Sequence, residues 1–131
     1  GVAAAVDHLA ALDPSASGTR RQRVVQSLGV AHEHETELLD RMLAALETDD
    51  RVTLYGRPKN RTATVYFRVA GETPEQTTQR LGDAGINAWH GHNYAWEVTR
   101  ALGIRDTGSA VRVSLAHYSN TSDVDRFIAT L

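Results

Sequence analysis

Arg112 lies in Ala110-Val111-Arg112-Val113-Ser114-Leu115, a run in which apolar and polar side chains alternate. A period of two puts Val111, Val113 and Leu115 on one face of a strand and Arg112, Ser114 and Ala116 on the other, so a fixed cation stands opposite a buried apolar set. A guanidinium is always charged and offers a rigid donor fork, suited to two parallel hydrogen bonds with a carboxylate. An arginine on a polar strand face can equally be solvated or paired with a neighbouring acid and do little. The residues by themselves leave both possibilities open, and Ser114 on the same face reads as filler.

The second cluster is Trp89-His90-Gly91-His92-Asn93-Tyr94, rich in aromatic and polar groups. With His32-Glu33-His34 it raises the possibility of a metal. On a helix, however, residues two apart point about 200° from each other and cannot share an ion, and His90 with His92 supplies only two ligands where a metal site needs at least three. No metal site is expected. The chain contains no cysteine, which removes disulfides, thiolate ligands and a cysteine nucleophile together. Its single lysine, Lys59, lies in Gly56-Arg57-Pro58-Lys59-Asn60-Arg61, a solvated turn-forming segment that does not offer the desolvated pocket a nucleophilic lysine needs.

These residues have to be positioned by short, regular elements. Val2 to Leu12 reads as a helix, Asp13 to Gly18 as a connector, and Arg20 to Glu47 as a long helix with Val25, Leu28, His32, Leu39, Met42 and Leu46 along one face. Val52 to Tyr55 and Thr62 to Val69 read as strands; in the second, Ala63, Val65, Phe67 and Val69 alternate against Thr64, Tyr66 and Arg68. Thr73-Pro74-Glu75-Gln76 is a capping box with proline in the first helical position, and Gly85 ends that helix. A strand from Ile86 to about His90 and a helix from Ala95 to Leu102, with Trp96 in the core, precede the Arg112 strand. Asn120 caps a last helix whose apolar stripe is Val124, Phe127, Ile128 and Leu131. Together they predict a single α+β domain over residues 1–131, a small mixed or antiparallel sheet with helices packed on one face.

Composition narrows what such a domain does. With 131 residues, 41% of them hydrophobic, the chain is long enough for one core, and its net charge of −2 with both signs interspersed offers no footprint for nucleic acid or an acidic membrane. The apolar-rich N-terminal run is interrupted by Asp7 and His8 and has no basic segment ahead of it, so neither a membrane span nor a signal peptide is expected and a cytoplasmic setting is.

Over nearly its whole length the sequence resembles the class V aminotransferases and cysteine-desulfurase-like enzymes, pyridoxal-phosphate enzymes of fold type I. The resemblance rests on VTLYGRP followed by RTATVYFRVAG, on GINAWHGHNYAWEVTRALG, and on the closing AVRVSLAHYSNTSDVDRFIATL with its Arg-x-Ser strand and tyrosine-containing turn. It implies that the chain is the C-terminal small domain of a longer, homodimeric enzyme acting on an amino acid. The lysine that anchors the cofactor and the phosphate cradle would then belong to a large upstream domain, no catalytic residue would lie in this chain, and the fragment alone would bind no pyridoxal phosphate and be inactive. By the same resemblance Arg112 binds the substrate carboxylate, while His92, Asn93 and Tyr94 line the pocket beside Trp89 and His90. Matching Gly91-His92 to the Gly-His pair of the desulfurases puts Tyr94 where their persulfide-forming cysteine stands. A phenol offers no route to a persulfide, so desulfuration by that route is not expected. The alternative is a stand-alone α+β module that binds a small molecule or a protein without a cofactor.

Overall fold

Three helices begin where a side chain satisfies the first free backbone amides. In the computed structural model, which describes residues 1–131, Thr19, Thr73 and Asn120 each accept from an amide three residues on, and Gln22, Gln76 and Asp123 reach back to complete the box. These caps open α2 (Arg20–Thr48), α3 (Pro74–Asp83) and α5 (Thr121–Thr130). Ahead of them lies α1 (Val2–Leu9), and α4 (Trp96–Ala101) follows the third strand. The strands are β1 (Val52–Leu54), β2 (Thr64–Val69), β3 (Trp89–Gly91) and β4 (Ala110–Ser114).

The strands form one sheet in the order β1-β2-β4-β3, and every neighbouring pair is antiparallel. The sheet is therefore antiparallel throughout, and β4, late in the chain, is an inner strand. Alternation sorts the side chains as the sequence predicts: Val65, Phe67 and Val69 of β2 and Val111 and Val113 of β4 are buried, while Thr64, Tyr66, Arg68, Arg112 and Ser114 face the other way. The buried set meets Leu38, Leu39, Met42 and Leu46 of α2, Leu81 of α3, and Val124 and Phe127 of α5. Phe67 and Phe127 touch edge to face with ring centres 5.9 Å apart. All three helices thus cover one face of the sheet, and the chain leaves the opposite face uncovered.

Four expectations need correction. The stripe on α2 is buried only over its second half: Leu39, Met42 and Leu46 are in the core, but Val25, Leu28 and His32 are exposed. A helix of 29 residues is about 43 Å long, far more than four strands spaced about 4.8 Å apart can cover, so its first half runs past the sheet and meets α1, the connector that follows it and, at His34, the Ser119 carbonyl. The first helix ends at Leu9 instead of Leu12. The third strand is Trp89–Gly91 instead of Ile86 to His90, because Ile86 donates its amide back to the Leu81 carbonyl, 2.9 Å, to close α3. Trp96 is half exposed, since α4 has only six residues and packs chiefly against the short helical turn Arg105–Thr107 and not under a longer helix.

Candidate functional site

Arg112 sits at the middle of β4 on the uncovered face, opposite Tyr66 of β2 on one side and Trp89 of β3 on the other. Tyr55, just past β1, extends this row: its amide donates to the Tyr66 carbonyl at 2.8 Å, and the two rings lie 6.0 Å apart. An arginine flanked by aromatic rings across a sheet is held by strands on both sides, which gives a rigid placement that a loop does not.

An open cleft of about 420 Å³ lies over Arg112, lined by Trp89, His90, Gly91, His92, Asn93 and Tyr94. The structure therefore brings together all four candidate residues, Arg112, His92, Asn93 and Tyr94. No carboxylate lines the cleft. Eight other arginines sit in ion pairs with acidic side chains, and Arg68, on the same face, is engaged by the hydroxyl and carbonyl of Thr107 at 3.0 and 2.9 Å. Arg112 has no such partner. Pairing with a neighbouring acid is thereby removed, and an exposed, uncommitted guanidinium faces the cleft.

The wall of the cleft is a tight turn between β3 and α4. Asn93 and Tyr94 are consecutive non-glycine residues with left-handed backbones, φ 49° and 64°, and Gly91 has φ 112°. Asparagine accepts this conformation readily and tyrosine does so at a cost, so the turn is held by specific bonds. Asn93 Nδ2 donates to the Gly91 carbonyl at 2.9 Å, and the Tyr94 amide donates to His92 Nδ1 at 3.2 Å. With Nδ1 accepting, the neutral ring of His92 carries its proton on Nε2. His92 also stands edge-on to Trp96, 5.1 Å between centres, and Arg105 lies 4.8 Å over the Trp96 ring. The Tyr94 side chain is 99% exposed.

Two residues of this region are absent from the expected site. Trp96, expected in the core, instead stands half exposed against the ring of His92, behind the lining of the cleft. Tyr66 bridges two strands: its hydroxyl donates to the Gly91 carbonyl at 2.6 Å and accepts from the Ala110 amide at 3.1 Å. Its only signal in the sequence is a tyrosine on the polar side of an alternating strand. Ser114 is occupied by a 3.0 Å bond to Thr64 across the sheet. Lys59 is exposed and opens onto a separate cleft of about 450 Å³ between α2 and the β1–β2 loop, sharing no residue with the Arg112 cleft. No three His, Asp or Glu side chains converge anywhere as metal ligands, and no helix is long and apolar enough to cross a membrane.

The family model for aminotransferase class-V matches residues 20–127, from the start of α2 to near the end of α5. An uncharacterized protein of Mycobacterium tuberculosis is 38% identical over the whole chain, which covers 32% of that protein. A probable cysteine desulfurase of Staphylococcus epidermidis is 30% identical over 110 residues, 82% of this chain and 26% of that protein. Among solved structures, the apo cysteine desulfurase of Thermococcus onnurineus superposes with a TM-score of 0.72 at 28% identity, over 84% of this chain and 27% of that one. The chain thus spans about a quarter to a third of the length of these relatives.

Proposed function

The chain belongs to the class V aminotransferase family, and from that premise we propose that it is the C-terminal small domain of a longer pyridoxal-phosphate enzyme, in which it binds the carboxylate of an amino-acid substrate. Members of the family use pyridoxal phosphate, which serves as an electron sink for bonds at the amino-acid α-carbon. The residues here do not suit an anchor for that group: Lys59 is exposed, on a loop, and faces a different cleft from Arg112. The anchor and the phosphate cradle are assigned to the upstream domain, and a homodimer belongs to the same proposal.

The single observation that carries the reading is Arg112, a guanidinium without an acidic partner, facing a cleft that contains no carboxylate. A planar fork with both N–H pairs free can make two parallel bonds to a carboxylate, and its strand fixes their direction. Binding through two bonds defines the plane of the substrate carboxylate, and so orients the α-carbon for whatever bond is broken. Asn93, His92 and Tyr94 complete the wall, with the Asn93 amide nitrogen already committed to Gly91 so that its oxygen remains to accept from the substrate. Tyr94 supplies a phenol in the turn where the desulfurases carry a thiol, which favours chemistry other than persulfide formation.

The test compares L-alanine with L-alaninamide, which lacks the carboxylate, as substrates of the full-length enzyme and of Arg112→Ala. Wild type is expected to favour the acid, and Arg112→Ala to treat the two alike. A variant that keeps the full preference overturns the assignment of Arg112.

A further inference from the structure

Tyr66 lies opposite Arg112 in the register of β2 and β4, yet its hydroxyl reaches past Arg112's strand to β3. Gly91 faces Ala110 across the β3–β4 ladder, and the phenol stands between them, accepting from the Ala110 amide at 3.1 Å and donating to the Gly91 carbonyl at 2.6 Å. Ala110 is completely buried, so its amide requires a partner inside the protein. The ladder is distorted at this point: Gly91 also bridges Ser109, whose φ is 60°. One hydroxyl therefore does here what a direct strand-to-strand bond does elsewhere. The Gly91 carbonyl receives a second bond, 2.9 Å, from Asn93 Nδ2, and the next three residues are His92, Asn93 and Tyr94. The Tyr55 ring, 6.0 Å away, backs the Tyr66 ring.

We propose that Tyr66 is a positioning residue for the Arg112 cleft: its phenol ties the turn that carries His92, Asn93 and Tyr94 to the strand that carries Arg112. It acts through the Gly91 carbonyl and the Ala110 amide and does not itself touch the substrate. This rests on the assignment of Arg112 to the substrate carboxylate. Without the hydroxyl the two walls of the cleft are free to shift relative to one another, which weakens substrate binding more than it slows later steps.

The full-length enzyme is compared as wild type, Tyr66→Phe, Arg112→Lys and Asn93→Gly, with L-alanine as substrate and backbone hydrogen exchange read over residues 89–114. Phenylalanine keeps the ring and its packing, so Tyr66→Phe is expected to speed exchange at Ala110 at least about tenfold, to raise KM several-fold and to leave kcat within about twofold. General loosening would instead speed exchange at Val113 in the core to the same degree, and that result overturns the proposal. Glycine tolerates the φ of Asn93 but takes away both the other donor to Gly91 and the Asn93 oxygen that faces the cleft, so Asn93→Gly is expected to raise KM while Ala110 exchanges as in wild type. If Ala110 loosens equally in Asn93→Gly, the phenol is not what holds the turn. If Arg112→Lys impairs KM while Tyr66→Phe changes neither KM nor exchange, the positioning role is overturned and the carboxylate assignment stands. If Arg112→Lys is silent, the carboxylate assignment fails and this role fails with it, whatever the exchange rates.

Discussion

Arg112→Lys keeps the charge but replaces a two-bond fork with a point donor. In the full-length enzyme this is expected to lower kcat/KM about ten- to a hundredfold, on the order of 1.5 to 3 kcal/mol, with the thermal midpoint nearly unchanged because the side chain is exposed and unpaired. Glu72 shows the opposite kind of residue. Two bonds from Arg80, 3.1 and 2.7 Å, hold its carboxyl below the ordinary value of 4.5, with the Thr77 hydroxyl adding a third at 2.7 Å. Because it ionises more readily folded than unfolded, its stabilising contribution is complete above 4.5 and is lost as pH falls through the lowered folded value. Glu72→Gln is accordingly expected to flatten the fall of the thermal midpoint below about pH 5, measured as a pH series against wild type. Arg112 was legible because a period of two fixes which way it faces. Tyr66 and Trp96 were not, since their roles depend on which strand lies beside β4 and on where a short helix stops, neither of which a local pattern contains.

Among the elements, α5 depends on its first turn. Asn120 accepts from the Asp123 amide at 3.2 Å and Asp123 returns a bond to the Asn120 amide, 3.1 Å, and the helix then delivers Val124 and Phe127 to the core. Asn120→Ala is expected to cost about 1 kcal/mol, read from the denaturation midpoint at unchanged slope. All three capping boxes use side chains three residues apart, which is why those boundaries could be read directly; the Thr73 and Asn120 boxes were expected from the sequence. The stripe on α2 was legible as amphipathic but not as half-covered, because periodicity reports which side of a helix is apolar and says nothing about how far the neighbouring sheet extends. The three-residue β3 was misplaced for a related reason: Ile86 and Ala88 pack against the core from non-strand backbone, so their apolar character resembled a strand that starts three residues later.

At the scale of the molecule, the α+β class and the antiparallel option follow from strands separated by helices and from clean alternation, but the order β1-β2-β4-β3 does not, since nothing local says that β4 inserts beside β2. That insertion makes Phe67 central, fully buried and in contact with Phe127. Phe67→Ala is expected to cost about 3 to 5 kcal/mol and to unfold the domain cooperatively, seen as a large drop in the thermal midpoint. For the whole enzyme, a chain without cysteine and with Tyr94 in the turn is expected to release little or no sulfide from L-cysteine by a persulfide route; strong release that disappears in Tyr94→Phe contradicts this. The placement of β4 also sets an order of events during synthesis. Thr64 must wait for Ser114, fifty residues later, and β3 has no partner at all except β4. While the ribosome is still making the intervening residues, β2 has an open inner edge and Trp89 to Gly91 has nowhere to pair. The sheet therefore closes in one late step, and the interval before it is when the nascent chain most needs protection from pairing with a neighbour.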